Sequence, residues 1–278
     1  MGGVLEGKTA IVTGAAAGVG LAVAQRFVEA GAQVMMADRD EEALAHEAEG
    51  LGGPQAGAHR WCCDPMARLG VANLVAAATD ALGHVDILVN AHLAVTRGGA
   101  LDATEEALEM ALSANLRSVM LLSQAVARRM IAHRKAHQEE EQRPSPGGPG
   151  LQTGAIVNLT SIAARRTVAD LLPLSVSCAA LDQLTRSMAV SLAAEGIRVN
   201  GVALGAVTTP ALRAAIRDDK ELRGAITEST PLRRIGEATE AAEAALFLAS
   251  PRASYVTGQI LAVDGGRLAL DPLARPEP

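Results

Sequence analysis

The residues Thr13-Gly14-Ala15-Ala16-Ala17-Gly18-Val19-Gly20 close a short β-branched run and open a segment of helical period. That arrangement suits a phosphate. Gly14 permits a tight turn, Gly18 lets backbone approach a pyrophosphate and Gly20 allows the helix to pack on the strand. The helix start, with Val19 in its first turn, offers unpaired N–H groups and the positive end of the helix dipole. Twenty-four residues after Gly14, Asp38 ends the next β-branched run. A carboxylate there accepts hydrogen bonds from an adenosine ribose 2′-OH and repels a 2′-phosphate, which favours NAD over NADP. Ala17 supplies no cation for the extra phosphate, whereas the guanidinium of Arg39 could pair with one. The alternative role for Asp38 is as a cap on the helix beginning near Asp40.

Acid–base chemistry is constrained by composition. The chain has one tyrosine, Tyr255, and of 25 basic residues only Lys8, Lys135 and Lys220 are lysines, so no Tyr and Lys stand one helical turn apart. His92 falls at the carboxyl end of the fourth strand, where sheets of this kind bind ligands, and an imidazole titrates in the useful range; an ordinary loop histidine is the competing account. Cys178 would need a cation to become a thiolate, and none adjoins it in sequence, so it reads as a small packing residue. Arg165 and Arg166 either bind an anionic group of a substrate or lie on the surface. His133 and His137 have the i, i+4 spacing of a helix-face metal pair, but a frayed polar helix end explains them better, and no metal is expected.

These groups must be held by a scaffold, and the sequence alternates strand-like and helix-like segments. Strands are expected at Thr9–Thr13, Gln33–Ala37, His59–Cys62, Asp86–Asn90, Ala155–Leu159, Arg198–Val202 and Gln259–Val263. Helices are expected at Val19–Ala30, Glu41–Glu49, Arg68–Leu82, Glu105–Arg134, Ser175–Ala194 and Thr239–Ala249. Such alternation implies an α/β fold, a single Rossmann-type doubly wound domain with a seven-stranded parallel sheet, because each parallel crossover needs a helix to return. The domain is placed at residues 1–270, followed by a tail at 271–278. A charged, then Pro/Gly-rich stretch at about 134–150 reads as a solvated, mobile insertion.

The bulk numbers exclude several partners. A net charge of −6 with scattered arginines disfavours nucleic acid and anionic membranes. Three cysteines, Cys62, Cys63 and Cys178, lack any metal-ligand spacing and suit a reducing cytoplasm. No signal peptide, myristoylation pattern or membrane-length apolar run is read, so a cytoplasmic location is expected.

Taken together, these features resemble the short-chain dehydrogenase/reductase family. The resemblance rests on the glycine turn, Asp64 after the third strand, D-I-L-V-N at Asp86 to Asn90, and Asn115 in the long helix. It continues through I-V-N-L-T-S ending at Ser161, R-V-N-G-V-A-L-G from Arg198, Thr208, and Y-V-T-G-Q-I-L-A-V-D-G-G closing at Gly266. It implies a bound nicotinamide dinucleotide and a homodimer or homotetramer built on long helices. Gly14, Gly18, Val19 and Gly20 would hold its pyrophosphate, Asp38 with Arg39 beside it the adenosine ribose, Asp64 the adenine, Thr208 the nicotinamide end, with Asn90 also in the cofactor site. Asn115 and Ser161 match two of the four catalytic positions. The family's Tyr, thirteen residues after the Ser, falls on Leu174, and its Lys, four further on, falls on Cys178. The frame L-S-V-S-C-A-A-L-D-Q-L-T-R-S-M-A fits without a gap. Two further departures are Leu93 and Leu204, where the family carries Gly and Pro.

Loss of a positioned acid–base group removes about 10² to 10⁴ in rate. Two functions are therefore expected from the resemblance. One is an NAD(H)-binding pseudoenzyme, inactive or weakly active on ordinary alcohols and carbonyls. The other is an oxidoreductase whose substrate needs little acid catalysis, such as an iminium, using Ser161, Asn115 and His92.

Overall fold

Runs rich in Val, Ile, Leu and Ala form six of the seven strands, all but the edge strand A-H-R-W-C, of a computed structural model that describes residues 2–141 and 153–270. The strands are β1 (Thr9–Thr13), β2 (Gln33–Asp38), β3 (Ala58–Cys62), β4 (Ile87–Asn90), β5 (Gly154–Ser161), β6 (Ile197–Leu204) and β7 (Ile260–Val263). They pair in the order β3-β2-β1-β4-β5-β6-β7, all parallel, so the chain first winds outward from β1 to one edge and then from β4 to the other. The order reverses between β1 and β4. In an open parallel sheet, that is where a crevice forms beyond the carboxyl ends of the strands.

The nine α-helices are α1 (Gly18–Glu29), α2 (Glu41–Gly50), α3 (Arg68–Leu82), α4 (Glu105–Leu112), α5 (Ser118–Glu141), α6 (Leu172–Leu192), α7 (Pro210–Arg217), α8 (Lys220–Glu228) and α9 (Ala238–Ala249) among the described residues. Alternate strand residues face opposite sides. Ala10, Val12, Val34, Met36, Val89 and Val157 pack against α1, α2 and α9, while Ile11, Met35, Leu88, Ile156 and Val199 pack against α3, α5 and α6. Both faces are thus covered, which is why the strands read as continuous apolar runs. At one edge, β3 exposes Trp61, the single tryptophan.

Three expectations need correction. The helix expected over Glu105–Arg134 is two helices joined by a π-helical turn at Ser113–Arg117, since one extra residue per turn lets Asn115 point inward. At its far end α5 runs on to Glu141, so residues 134–141 of the expected insertion are helical; there the His133 ring stacks on His84 and meets His137 edge-on. The remainder of that stretch and the tail at 271–278 lie outside the described residues. Finally, α7 and α8 are two further helices beyond those expected, and neither buries a residue fully.

Candidate functional site

The glycine turn is fixed by sterics at two positions. A Cβ on Gly20 would stand 2.0 Å from the carbonyl oxygen of Gly14, and one on Gly14, whose φ is +65°, would stand 2.9 Å from that of Ala91. Helix α1 therefore starts hard against the strand ends. Its N-cap is Ala17, no side chain caps it, and no acidic residue occupies its first turn. The leading N–H groups are left for an anion, as a pyrophosphate site requires. Val19 is buried in the core, so only its backbone can serve.

Asp38 does not cap α2; Asp40 does, accepting from Ala43 N–H at 3.1 Å. The Asp38 carboxylate instead accepts from the N–H groups of Arg39 (2.7 Å), Asp40 (3.1 Å) and Ala16 (3.2 Å), which ties the end of β2 to the glycine turn. Asp64 accepts from Met66 N–H at 2.9 Å. Together with Thr13, Arg39 and the β4 end, these carboxylates line a cavity of about 320 Å³ over the ends of β1 to β4. Cys63 also lines it, and its thiol is pushed up to about 11 by burial and by nearby Cys62, Asp64 and Asp38. The residues present fit the adenosine and pyrophosphate parts of a dinucleotide.

Beyond β4 the polar side chains turn inward. Asn90 is buried and donates to Asn158 Oδ1 at 2.8 Å and to Ser123 Oγ at 3.1 Å, so it braces β4 against β5 and α5 rather than facing the cleft. His92 is held through both ring nitrogens, with Nδ1 2.7 Å from Thr13 Oγ1 and Nε2 2.7 Å from Ser118 Oγ. The Ser118 hydroxyl donates to the Ala114 carbonyl, so it accepts from the ring, and Nδ1 accepts from Thr13. That network suits a neutral imidazole, and burial lowers its pKa to about 4. Asn115 is fully buried: its Oδ1 accepts from Ala94 N–H at 2.8 Å, and its Nδ2 donates to the Ala94 carbonyl at 2.9 Å and to Ser177 Oγ at 3.0 Å. It clamps the β4 loop to α6.

On α6, Leu174 and Cys178 lie one turn apart and are both buried, in an apolar cluster with Ala163. Leu93, Ala164 and Leu171 pack against it. Burial pushes the Cys178 thiol up, against hydrogen bonds from Thr160 and Ser161 that lower it, so this cysteine is a protonated packing group. Ser161 spends its hydroxyl locally, accepting from Ala163 N–H at 3.2 Å and donating to the Leu204 carbonyl at 3.5 Å. None of Ser161, Leu174 and Cys178 lines the cavity, which stops at Leu93, Ala94 and the helix residues Met110 and Ala114.

Two groups escaped the sequence reading. Asp182, a further turn along α6, is a buried carboxylate whose pKa is raised by burial and held back by Thr160, Arg165 and Arg186. Arg165 reaches it at 3.5 Å and Arg166 donates to the Leu270 carbonyl at 2.7 Å, so neither guanidinium is turned to the cavity. The second is Thr209. A Cβ on Gly18 would lie 3.5 Å from Thr209 Cγ2, whereas Thr208 is fastened through its N–H to the Gly236 carbonyl at 2.8 Å. The signal for Thr209 was present in its Thr-Pro pair, a helix start; its hydroxyl caps α7 by accepting from Leu212 N–H.

A family model described as enoyl-(acyl carrier protein) reductase matches residues 14–267. The chain is 39% identical over 269 residues to 7alpha-hydroxysteroid dehydrogenase of Escherichia coli (strain K12), covering 94% of each. The chain belongs to the short-chain dehydrogenase/reductase family. Another member, the L-tagatose-forming galactitol 2-dehydrogenase of Cereibacter sphaeroides, is 36% identical over 264 residues, covering 94% of this chain and 95% of that one. A solved structure of 7 alpha-hydroxysteroid dehydrogenase complexed with NADH and 7-oxo glycochenodeoxycholic acid superposes with a TM-score of 0.82 at 36% identity, covering 94% of both chains. The seven-stranded parallel sheet is the sheet of this family, and no described helix is long and apolar enough to cross a membrane.

Proposed function

We propose that this family member binds NAD(H) and does not work as an ordinary alcohol dehydrogenase or carbonyl reductase. One observation carries the reading: the helix positions where the family's acid–base pair falls are Leu174 and Cys178, and both are buried in hydrocarbon with Leu93 against them. No group there can exchange a proton near neutral pH. The residues that would hold the dinucleotide are the backbone of Gly14, Gly18, Val19 and Gly20 for the pyrophosphate, Asp38 for the ribose and Asp64 for the adenine. When bound, the nicotinamide supplies a hydride or accepts one. Asp38 beside Ala16 favours NAD over NADP, because a 2′-phosphate would meet its carboxylate.

The reading of an active oxidoreductase working through Ser161, Asn115 and His92 draws no support from their placement, since all three are committed to neighbouring chain atoms. A homodimer or homotetramer and a reducing cytoplasm are part of the proposal; the three free cysteines accord with the latter. The test is calorimetric titration with NAD+ alongside a turnover panel of secondary alcohols and ketones. Binding without turnover is expected, and sustained NADH production by the purified chain would overturn it.

A further inference from the structure

We infer that the site grips only the adenosine diphosphate part of its ligand, so that adenine nucleotides lacking nicotinamide are its equals as ligands. The inference rests on the nucleotide-binding reading above and goes beyond it by naming the recognised portion. The open volume lies over β1, β2 and β3 and the start of the β4 loop, with Asp38, Arg39, Asp64 and Met66 in its wall. Asp38 ends β2, and Arg39, Asp64 and Met66 follow β2 and β3, the part of the sheet that would hold an adenosine; on the β4 side the wall stops at Leu93, Ala94, Met110 and Ala114. On the other side of the β1–β4 switch the corresponding space is filled. Leu93 packs on Leu174 and Cys178 with Leu171 and Ala164 alongside, and the hydroxyl of Ser161 is turned to its own chain. Thr209 and Pro210 lie 3.5 and 3.6 Å from a Cβ placed on Gly18, so the β6–α7 segment runs alongside the glycine turn.

Affinity follows from what a ligand contacts, and a nicotinamide ribose that finds neither an open pocket nor a polar partner adds nothing to it. It would remain at the mouth of the site. NAD+, ADP-ribose and ADP therefore compete for one pocket, and the protein responds to adenine nucleotides as a class rather than to the redox state of a nicotinamide.

The experiment is isothermal titration calorimetry of the full chain with NAD+, ADP-ribose, ADP and nicotinamide mononucleotide in one buffer. ADP and ADP-ribose are both expected to bind within about threefold of NAD+, and nicotinamide mononucleotide to give no heat of binding. NAD+ binding more than about threefold tighter than ADP, or measurable binding of nicotinamide mononucleotide, overturns the inference while leaving NAD(H) binding intact. Absence of binding by all four overturns both.

Discussion

His92 Nδ1 lies 2.7 Å from Thr13 Oγ1, and through the other ring nitrogen the same imidazole reaches Ser118, so one side chain links the end of β1 to the start of α5. Its pKa of about 4 lies below the ordinary 6.5. The unfolded chain therefore binds a proton that the native chain refuses between these values. The stability this represents is complete above pH 6.5 and is lost as pH falls towards 4, about 3 kcal/mol in all. Urea unfolding of the wild type and of His92→Gln at pH 7 and at pH 4.5 should show a shallower loss in the variant. Equal losses would remove His92 from the account.

Asn115 satisfies both partners of Ala94 and one hydroxyl of α6. Asn115→Ala leaves a buried N–H and carbonyl unpaired, and a loss of about 2–4 kcal/mol is expected in chemical denaturation. A change below about 0.5 kcal/mol would mean that water replaces the clamp.

Restoring polar groups on α6 tests the catalytic reading directly. The triple change Leu93→Gly, Leu174→Tyr and Cys178→Lys should raise NAD+-dependent oxidation of secondary alcohols by about 10²-fold or more over the wild type, as a positioned acid–base group would. It should also lower the unfolding temperature, because Cys178 is fully buried and a lysine there must be desolvated. A folded triple variant no more active than the wild type would place the deficit elsewhere.

For Asp38, the expectation concerns choice of ligand. NADP+ should bind the wild type about tenfold or more weakly than NAD+, and Asp38→Ala should narrow that gap while weakening NAD+ by about tenfold. An unchanged ratio in fluorescence or calorimetric titration would take the ribose away from Asp38.

The strands were legible because parallel strands covered on both faces must be apolar throughout; β1 was placed at Thr9–Thr13 as found, and β5 and β6 extend a few residues further. The glycine turn was legible because Gly20 and Gly14 answer to backbone contacts that allow nothing larger. What escaped was set by tertiary packing. The π-turn exists to bury Asn115 and leaves no periodic trace. Helices α7 and α8 bury no residue fully, yet their caps, Thr209 and Asp219, and their amphipathic period announce them. The inward rotation of Asn90 depends on Asn158 and Ser123, residues 68 and 33 positions away.

The lone indole of this protein, Trp61, sits 39% exposed on the edge strand β3, two residues before Cys63 at the cavity wall, while the only phenol, Tyr255, is wholly exposed. Excitation at the red edge of protein absorbance therefore reports on one rim of the sheet. A dye-free titration would register a ligand at the adenosine end as a change in emission, yet the interior between β5 and α6 would stay dark to it. Optical melting curves would likewise follow the fraying of an edge before the loss of the core.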